Sequence, residues 1–325
     1  MAADFSPFGL AIGHASDDAG ATGLTVVRGM DGPFRAASAL LGRATGTREL
    51  DALDPRHIVD RVDAILLTGG SAYGLAAAAG VMRWMEERGR GFPVPGGVVP
   101  IVPAAVIFDL APLGAFGARP TAQMAYDACE RAVPAPVGEG SVGAGMGATV
   151  GKGAGPEHAM KGGLGCAVAR AGALAAGAVV VVNALGDVRD AGGTILAGAR
   201  APGGGFVDLE RAIADGSVLR SRFGAPSPAG NTTLAVVATN AGLGRVELAQ
   251  LARAAGAALA RRITPVGTSF DGDVIFAAAP LEGSVAPALQ VEALAVRALE
   301  EAIERAVRLA RGRDGIPGFA DGAST

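Results

Sequence analysis

Residues 229–241 read Ala-Gly-Asn-Thr-Thr-Leu-Ala-Val-Val-Ala-Thr-Asn-Ala. A segment rich in Pro, Gly and Ser ends at Gly230, and at Thr232 an apolar, β-propense run begins that stops at the turn residues Asn240 and Ala241-Gly242. A hydroxyl therefore sits where a loop becomes a strand. Three readings fit these residues. One is a plain Asx or Ser/Thr turn capping a core strand, the reading local sequence favours. Another is the Asn-x-Thr glycosylation pattern, which needs a secretory signal that the first ten residues do not supply. In the third, the bond between Asn231 and Thr232 breaks. Thr232 then carries a free α-amine, whose ordinary pKa of roughly 7.7 to 8.0 makes it a base near neutrality beside its own hydroxyl.

The rest of the chain bears on that choice. Gly230-Asn231-Thr232-Thr233, with Val236-Val237-Ala238-Thr239-Asn240 behind it, resembles the autocleavage segment of the L-aminopeptidase/D-esterase (DmpA-type) family of N-terminal-nucleophile hydrolases. The Asn-Thr junction is most similar to the branch that hydrolyses 6-aminohexanoate oligomers. Three further motifs carry the resemblance in the same order: Gly69-Gly70-Ser71-Ala72-Tyr73-Gly74-Leu75, Gly143-Ala144-Gly145-Met146 with Gly151-Lys152, and Asp271-Gly272-Asp273. Four motifs in order are specific where any one alone is weak.

The resemblance implies an α+β fold, a four-layer αββα sandwich, formed by a single domain over residues 1–325. Cleavage would divide it into an α chain, 1–231, and a β chain, 232–325. Thr232 would be the nucleophile in both self-cleavage and hydrolysis, and Asn183 the oxyanion donor. Lys152, Asp271 and Asp273 would orient and tune the Thr232 amine. The substrate would be a small amide, peptide or ester, no cofactor or metal would be needed, and the processed units would associate as homo-oligomers. One position departs from the family: Tyr is common where this chain has Phe108, so one hydroxyl donor is missing. An autocleaving acyltransferase of the ornithine acetyltransferase type, or a non-catalytic homologue, are the alternatives.

Composition narrows the class. The chain has 325 residues, half of them apolar, with 51 glycines and only 4% aromatics, so a sizeable core should pack through small side chains. A net charge of -3 offers no basic surface for nucleic acid. The longest apolar run, residues 171–182, is short of the roughly 20 residues a membrane span needs. Cys129 and Cys166 stand alone, without metal-ligand spacing, which fits reduced thiols in a cytoplasmic protein. His14, His57 and His158 share no ligand spacing and read as surface or loop residues.

Along the chain, runs at 8–14 and 24–28 suggest a hairpin, 64–68 a strand, and 71–88 a helix that Ser71 would cap after the Gly69-Gly70 turn. That turn could bring backbone amides close to a substrate oxygen. The nucleophile elbow Gly-x-Ser-x-Gly fails there because position 73 is Tyr73, and a dinucleotide fingerprint fails for want of a third spaced glycine. Residues 98–110 read as a strand bent by Pro100 and Pro103, 121–133 as a helix, and 138–155 as a glycine loop. Lys152 is the only charge between Glu139 and Glu157, so it could point inward; it is no phosphate-loop lysine, since Gly147 stands one residue too close and Gly153 replaces the needed Ser or Thr. Strands follow at 164–171, 174–183 and 273–279, a long loop at 199–229, helices at 245–262 and 289–310, and a loose tail from 312. From these runs alone the fold is only mixed α and β.

Overall fold

The computed structural model describes residues 3–218 and 230–324. Two five-stranded sheets organise them, built from β1 (Leu10–Asp17), β2 (Thr22–Gly29), β3 (Arg35–Leu40), β4 (Thr47–Arg48), β5 (Ala64–Thr68), β6 (Ala104–Val106), β7 (Gly163–Ala171), β8 (Leu174–Asn183), β9 (Thr232–Thr239) and β10 (Val274–Ala279). The first sheet runs β1-β2-β5-β6-β4 and the second β7-β8-β9-β10-β3. Each contains one parallel pair, β5 with β6 and β9 with β10, among antiparallel neighbours.

The layering follows from alternation along the strands. Val179 and Val181 of β8, with Leu234 and Val236 of β9, face Ile12, Val27, Ile65 and Leu67 of the other sheet. Val180, Val182, Ala235 and Val237 point the opposite way, onto helices α3 (Arg245–Arg262) and α4 (Ala288–Arg308). Leu24, Val26 and Leu66 face helices α1 (Ala78–Glu86) and α2 (Ala122–Arg131). The result is helix, sheet, sheet, helix: the four-layer αββα arrangement. Strands with both faces covered carry near-continuous apolar runs, which is how β8 and β9 read.

Close packing through small residues is most evident where helix meets sheet. A Cβ on Gly165 of β7 would lie 2.0 Å from the Ala302 carbonyl oxygen of α4. No helix among the described residues is long and apolar enough to cross a membrane. Cys129 and Cys166 are free and buried.

Several expected elements differ. Residues 71–88 open as a 3-10 turn, Ser71–Ala77, and become α-helical only at Ala78. Ser71 is not a cap: it lies at φ +51, in the left-handed region, behind Gly70 at φ +80. The run 98–110 breaks at its prolines, leaving strands Gly97–Val99 and Ala104–Val106. The long loop contains a short helix, Leu209–Ala214, while its residues 219–229 lie outside the described part. The tail from 312 is packed, with Ile316 buried and the Lys161 amide donating to the Pro317 carbonyl. His14 is a strand residue whose Nδ1 lies 3.0 Å from Thr25 Oγ1.

Candidate active site

Strand pairing determines what surrounds Thr232. Antiparallel register sets Asn183, the last residue of β8, opposite Thr232, the first of β9. The parallel pairing of β9 with β10 brings both strand beginnings to one edge, with Leu234 opposite Val274 and Asn231 bridged to Asp271. Residues 183, 232 and 271–273, distant in sequence, thus meet because of one sheet's order.

Lys152 arrives from the glycine loop. Gly151 turns at φ +72, and a Cβ there would lie 2.1 Å from the Gly198 carbonyl carbon, so the turn requires glycine. Beyond it the Lys152 ammonium reaches Asn183 Oδ1 at 2.8 Å, the Gly230 carbonyl at 2.9 Å and the Asn183 carbonyl at 3.1 Å. Three acceptors match the three hydrogens of an ammonium. Burial pulls the Lys152 pKa down to about 7, against the opposing pull of the Asp271 and Asp109 carboxylates. The lysine contacts oxygens of Asn183 and Gly230, while the Asp271 and Asp109 carboxylates act on it through space.

Asn183 is fully buried and its amide is a junction. Its Nδ2 donates to the carbonyls of Gly230 at 2.9 Å and Phe108 at 3.2 Å, while Oδ1 also accepts the Thr149 N–H at 3.0 Å. Asp273 accepts the Thr233 N–H on Oδ1 at 2.6 Å, and among the described residues its buried Oδ2 has no hydrogen-bond partner. Burial, reinforced by the Asp271 charge, pushes the Asp273 pKa up to about 7. Burial also raises that of Asp271, whose Oδ2 accepts the Thr268 N–H at 2.7 Å.

Thr232 itself is 5% exposed. Its hydroxyl donates to the Asn231 carbonyl oxygen at 2.6 Å, and the same oxygen accepts the Gly272 N–H at 2.8 Å. Above it opens a cavity of about 410 Å³, walled by Thr45, Ser71, Ala72, Val106, Phe108 and Phe270. Phe108 presses on the chain before the candidate bond: a Cβ on Gly230, at φ +113, would lie 2.5 Å from its ring.

The Gly69-Gly70 turn plays a different part from the one expected. The Gly69 N–H donates to Gly23 O at 2.8 Å, the Ser71 N–H to Ile107 O at 3.0 Å, and the Gly70 N–H to Asp109 Oδ1 at 2.7 Å. None of these amides is left to meet a substrate oxygen; the turn instead places Ser71 in the wall of the cavity. Asp109, missed in the sequence, holds that turn, with Thr22 Oγ1 donating to its other oxygen at 2.7 Å. Its one sequence signal is a carboxylate closing an apolar run. A second buried lysine was also missed: Lys161 donates to the carbonyls of Gly145, Ala148 and Gly162 and fastens the glycine loop. Among the described residues no group of three or more His, Cys, Asp or Glu is placed to hold a metal ion.

Comparison with known proteins adds a family. Residues 8–318 match the model described as peptidase family S58. The chain is 44% identical over 297 residues to "Uncharacterized aminopeptidase ML1167" of Mycobacterium leprae, covering 83% of this chain and 76% of that protein. It is 33% identical to a 6-aminohexanoate-oligomer endohydrolase of Agromyces sp., covering 83% of this chain and 72% of that one. Among solved structures, the L-aminopeptidase D-Ala-esterase/amidase of Ochrobactrum anthropi, described as a variant of the Ntn hydrolase fold, superposes with a TM-score of 0.70 at 19% identity, covering 98% of this chain and 90% of that one.

Proposed function

The chain belongs to peptidase family S58, and from that premise we propose that it is an amide hydrolase matured by cleavage between Asn231 and Thr232, with Thr232 as nucleophile. The observation that carries the reading is the buried Thr232 hydroxyl held 2.6 Å from the carbonyl oxygen of the peptide bond preceding it, on the floor of the cavity. In the first step Oγ1 attacks the Asn231 carbonyl carbon. The bond to the Thr232 nitrogen breaks, the hydroxyl proton passes to that nitrogen, and an ester remains; water then hydrolyses the ester to the Asn231 carboxylate and the free hydroxyl.

The liberated amine is the base for turnover. A cation nearby favours its neutral, proton-accepting form, and in the uncut chain Lys152 donates to the Gly230 carbonyl, two residues before Thr232. Asp271 balances that charge through space, and Asp273 anchors the Thr233 N–H. Asn183 Nδ2, which holds the Gly230 carbonyl in the uncut chain, is the donor for the substrate oxyanion once that carbonyl has withdrawn. The substrate is an amide or ester of a peptide or amino-acid oligomer, taken up in the cavity beside Phe108. The processed units are expected to form homo-oligomers and to work in the cytoplasm.

Mass spectrometry of purified protein tests this reading. Two chains are expected, the second beginning at Thr232, with an intact chain in Thr232→Ala and hydrolysis of aminoacyl p-nitroanilides only by the cut form. A wild-type chain that stays whole, or product appearing only when an amine acceptor is added, would count against a hydrolase; the second outcome points to acyl transfer.

A further inference from the structure

We infer that the chain has two separate oxyanion donors, and that the backbone N–H of Gly272 is the catalytic donor for self-cleavage. This rests on Thr232 being the attacking group and adds a residue to it. When Oγ1 adds to the Asn231 carbonyl, negative charge collects on the Asn231 oxygen, and the Gly272 N–H already donates to this oxygen, at 2.8 Å. Asn183 Nδ2 is directed elsewhere in the uncut chain, to the carbonyls of Gly230 and Phe108.

The donor is held in place beforehand. The carbonyl of Asp271 accepts the N–H groups of Arg43 and Ala44, at 2.9 and 3.0 Å, and that of Asp273 accepts those of Leu41 and Gly42, at 2.9 and 3.1 Å. Both neighbours of Gly272 are thereby tied to one segment, so the N–H needs little reorganisation as charge develops. Position 272 also explains its own lack of a side chain. A Cβ there would lie 2.7 Å from Thr232 Oγ1 and 2.5 Å from the Ala44 carbonyl oxygen, in the space the attacking hydroxyl uses. The Asp-Gly-Asp motif therefore contributes more than its two carboxylates: its middle residue supplies a donor and a clearance.

After the cut the Asn231 oxygen belongs to a carboxylate that can leave, and the Gly230 carbonyl releases Asn183. Cleavage would use the Gly272 amide and turnover the Asn183 amide. Cell-free translation that places glycolic acid at position 272 tests this by exchanging the N–H for an ester oxygen without added bulk. Self-cleavage, followed by mass spectrometry, is expected to slow on the order of 10²- to 10³-fold, as for loss of one oxyanion donor. Asn183→Asp, isosteric but without donor hydrogens, is expected to be cut and then to fail in hydrolysing added amide. Cleavage of the glycolic-acid chain at the wild-type rate, or an Asn183→Asp chain as intact as Thr232→Ala, overturns the inference while leaving the nucleophile assignment standing. An uncut wild-type chain defeats that assignment instead.

Discussion

A buried carboxylate resists ionisation, and Asp273 is such a group, with one oxygen lacking a partner among the described residues and its pKa pushed up to about 7. The consequence for stability has a definite sign. Between pH 3.8, the ordinary value, and about 7 the unfolded chain has given up a proton that the folded chain retains, so stability falls across that window and stays lowered above it. Asn in place of Asp273 keeps the acceptor for the Thr233 amide and cannot ionise. The melting temperature of Asp273→Asn minus that of the parent is therefore expected to grow from pH 4 to pH 7, whatever constant offset the new amide introduces, while hydrolysis is lost. A difference that is flat or shrinks over thermal melts in that range would contradict the burial argument. At this scale the sequence was informative about side chains. Thr232, Asn183, Lys152, Asp271 and Asp273 occupy one neighbourhood; four of them stand in the sequence motifs, and Asn183 is reached only through the resemblance. It was silent about backbone groups, because an N–H is present at every non-proline residue and only the fold says where it points: the amides of Gly69 and Gly70 turn away, and that of Gly272 turns in.

Among the elements, apolar run length located the strands, since β8 and β9 are covered on both faces and show it as the apolar runs 178–182 and 234–238. Boundaries failed where tertiary contacts override local preference. Ser71 takes a left-handed conformation with its N–H on Ile107 and delays the helix, and the tail from 312 is held by contacts with the 161 region that no local pattern encodes. Glycine is the other recurrent determinant. Gly165 lets α4 rest its backbone on β7, so Gly165→Ala, with its Cβ 2.0 Å from the Ala302 oxygen, must push helix from strand. Overpacking of this kind costs about 1 to 3 kcal/mol. The expected outcome is a lowered urea midpoint with self-cleavage still complete in the folded fraction, because Thr232 lies on a different strand.

Over the whole molecule the order of the second sheet matters most. β9 and β10 follow the candidate bond, yet they lie between β8 on one side and β3 on the other, both of which precede it. The four layers were not readable from residue runs, which give elements but not their neighbours; motif order supplied the arrangement through resemblance. The proposed cut between residues 231 and 232 would leave the two pieces interleaved through two strand ladders and the core shared by α3, α4 and the second sheet. Pieces 1–231 and 232–325 are expected to co-elute in equal amounts from gel filtration in native buffer and to part only in denaturant; separation without denaturant would contradict the interleaving. Under the proposed cleavage, the same interleaving would make maturation a ratchet. Before the cut, one continuous polymer finds its shape alone; afterwards, recovery from a melt is an encounter between two molecules and fails on dilution. Such a protein gets one unaided chance to assemble, and thereafter its lifetime depends on how slowly it comes apart.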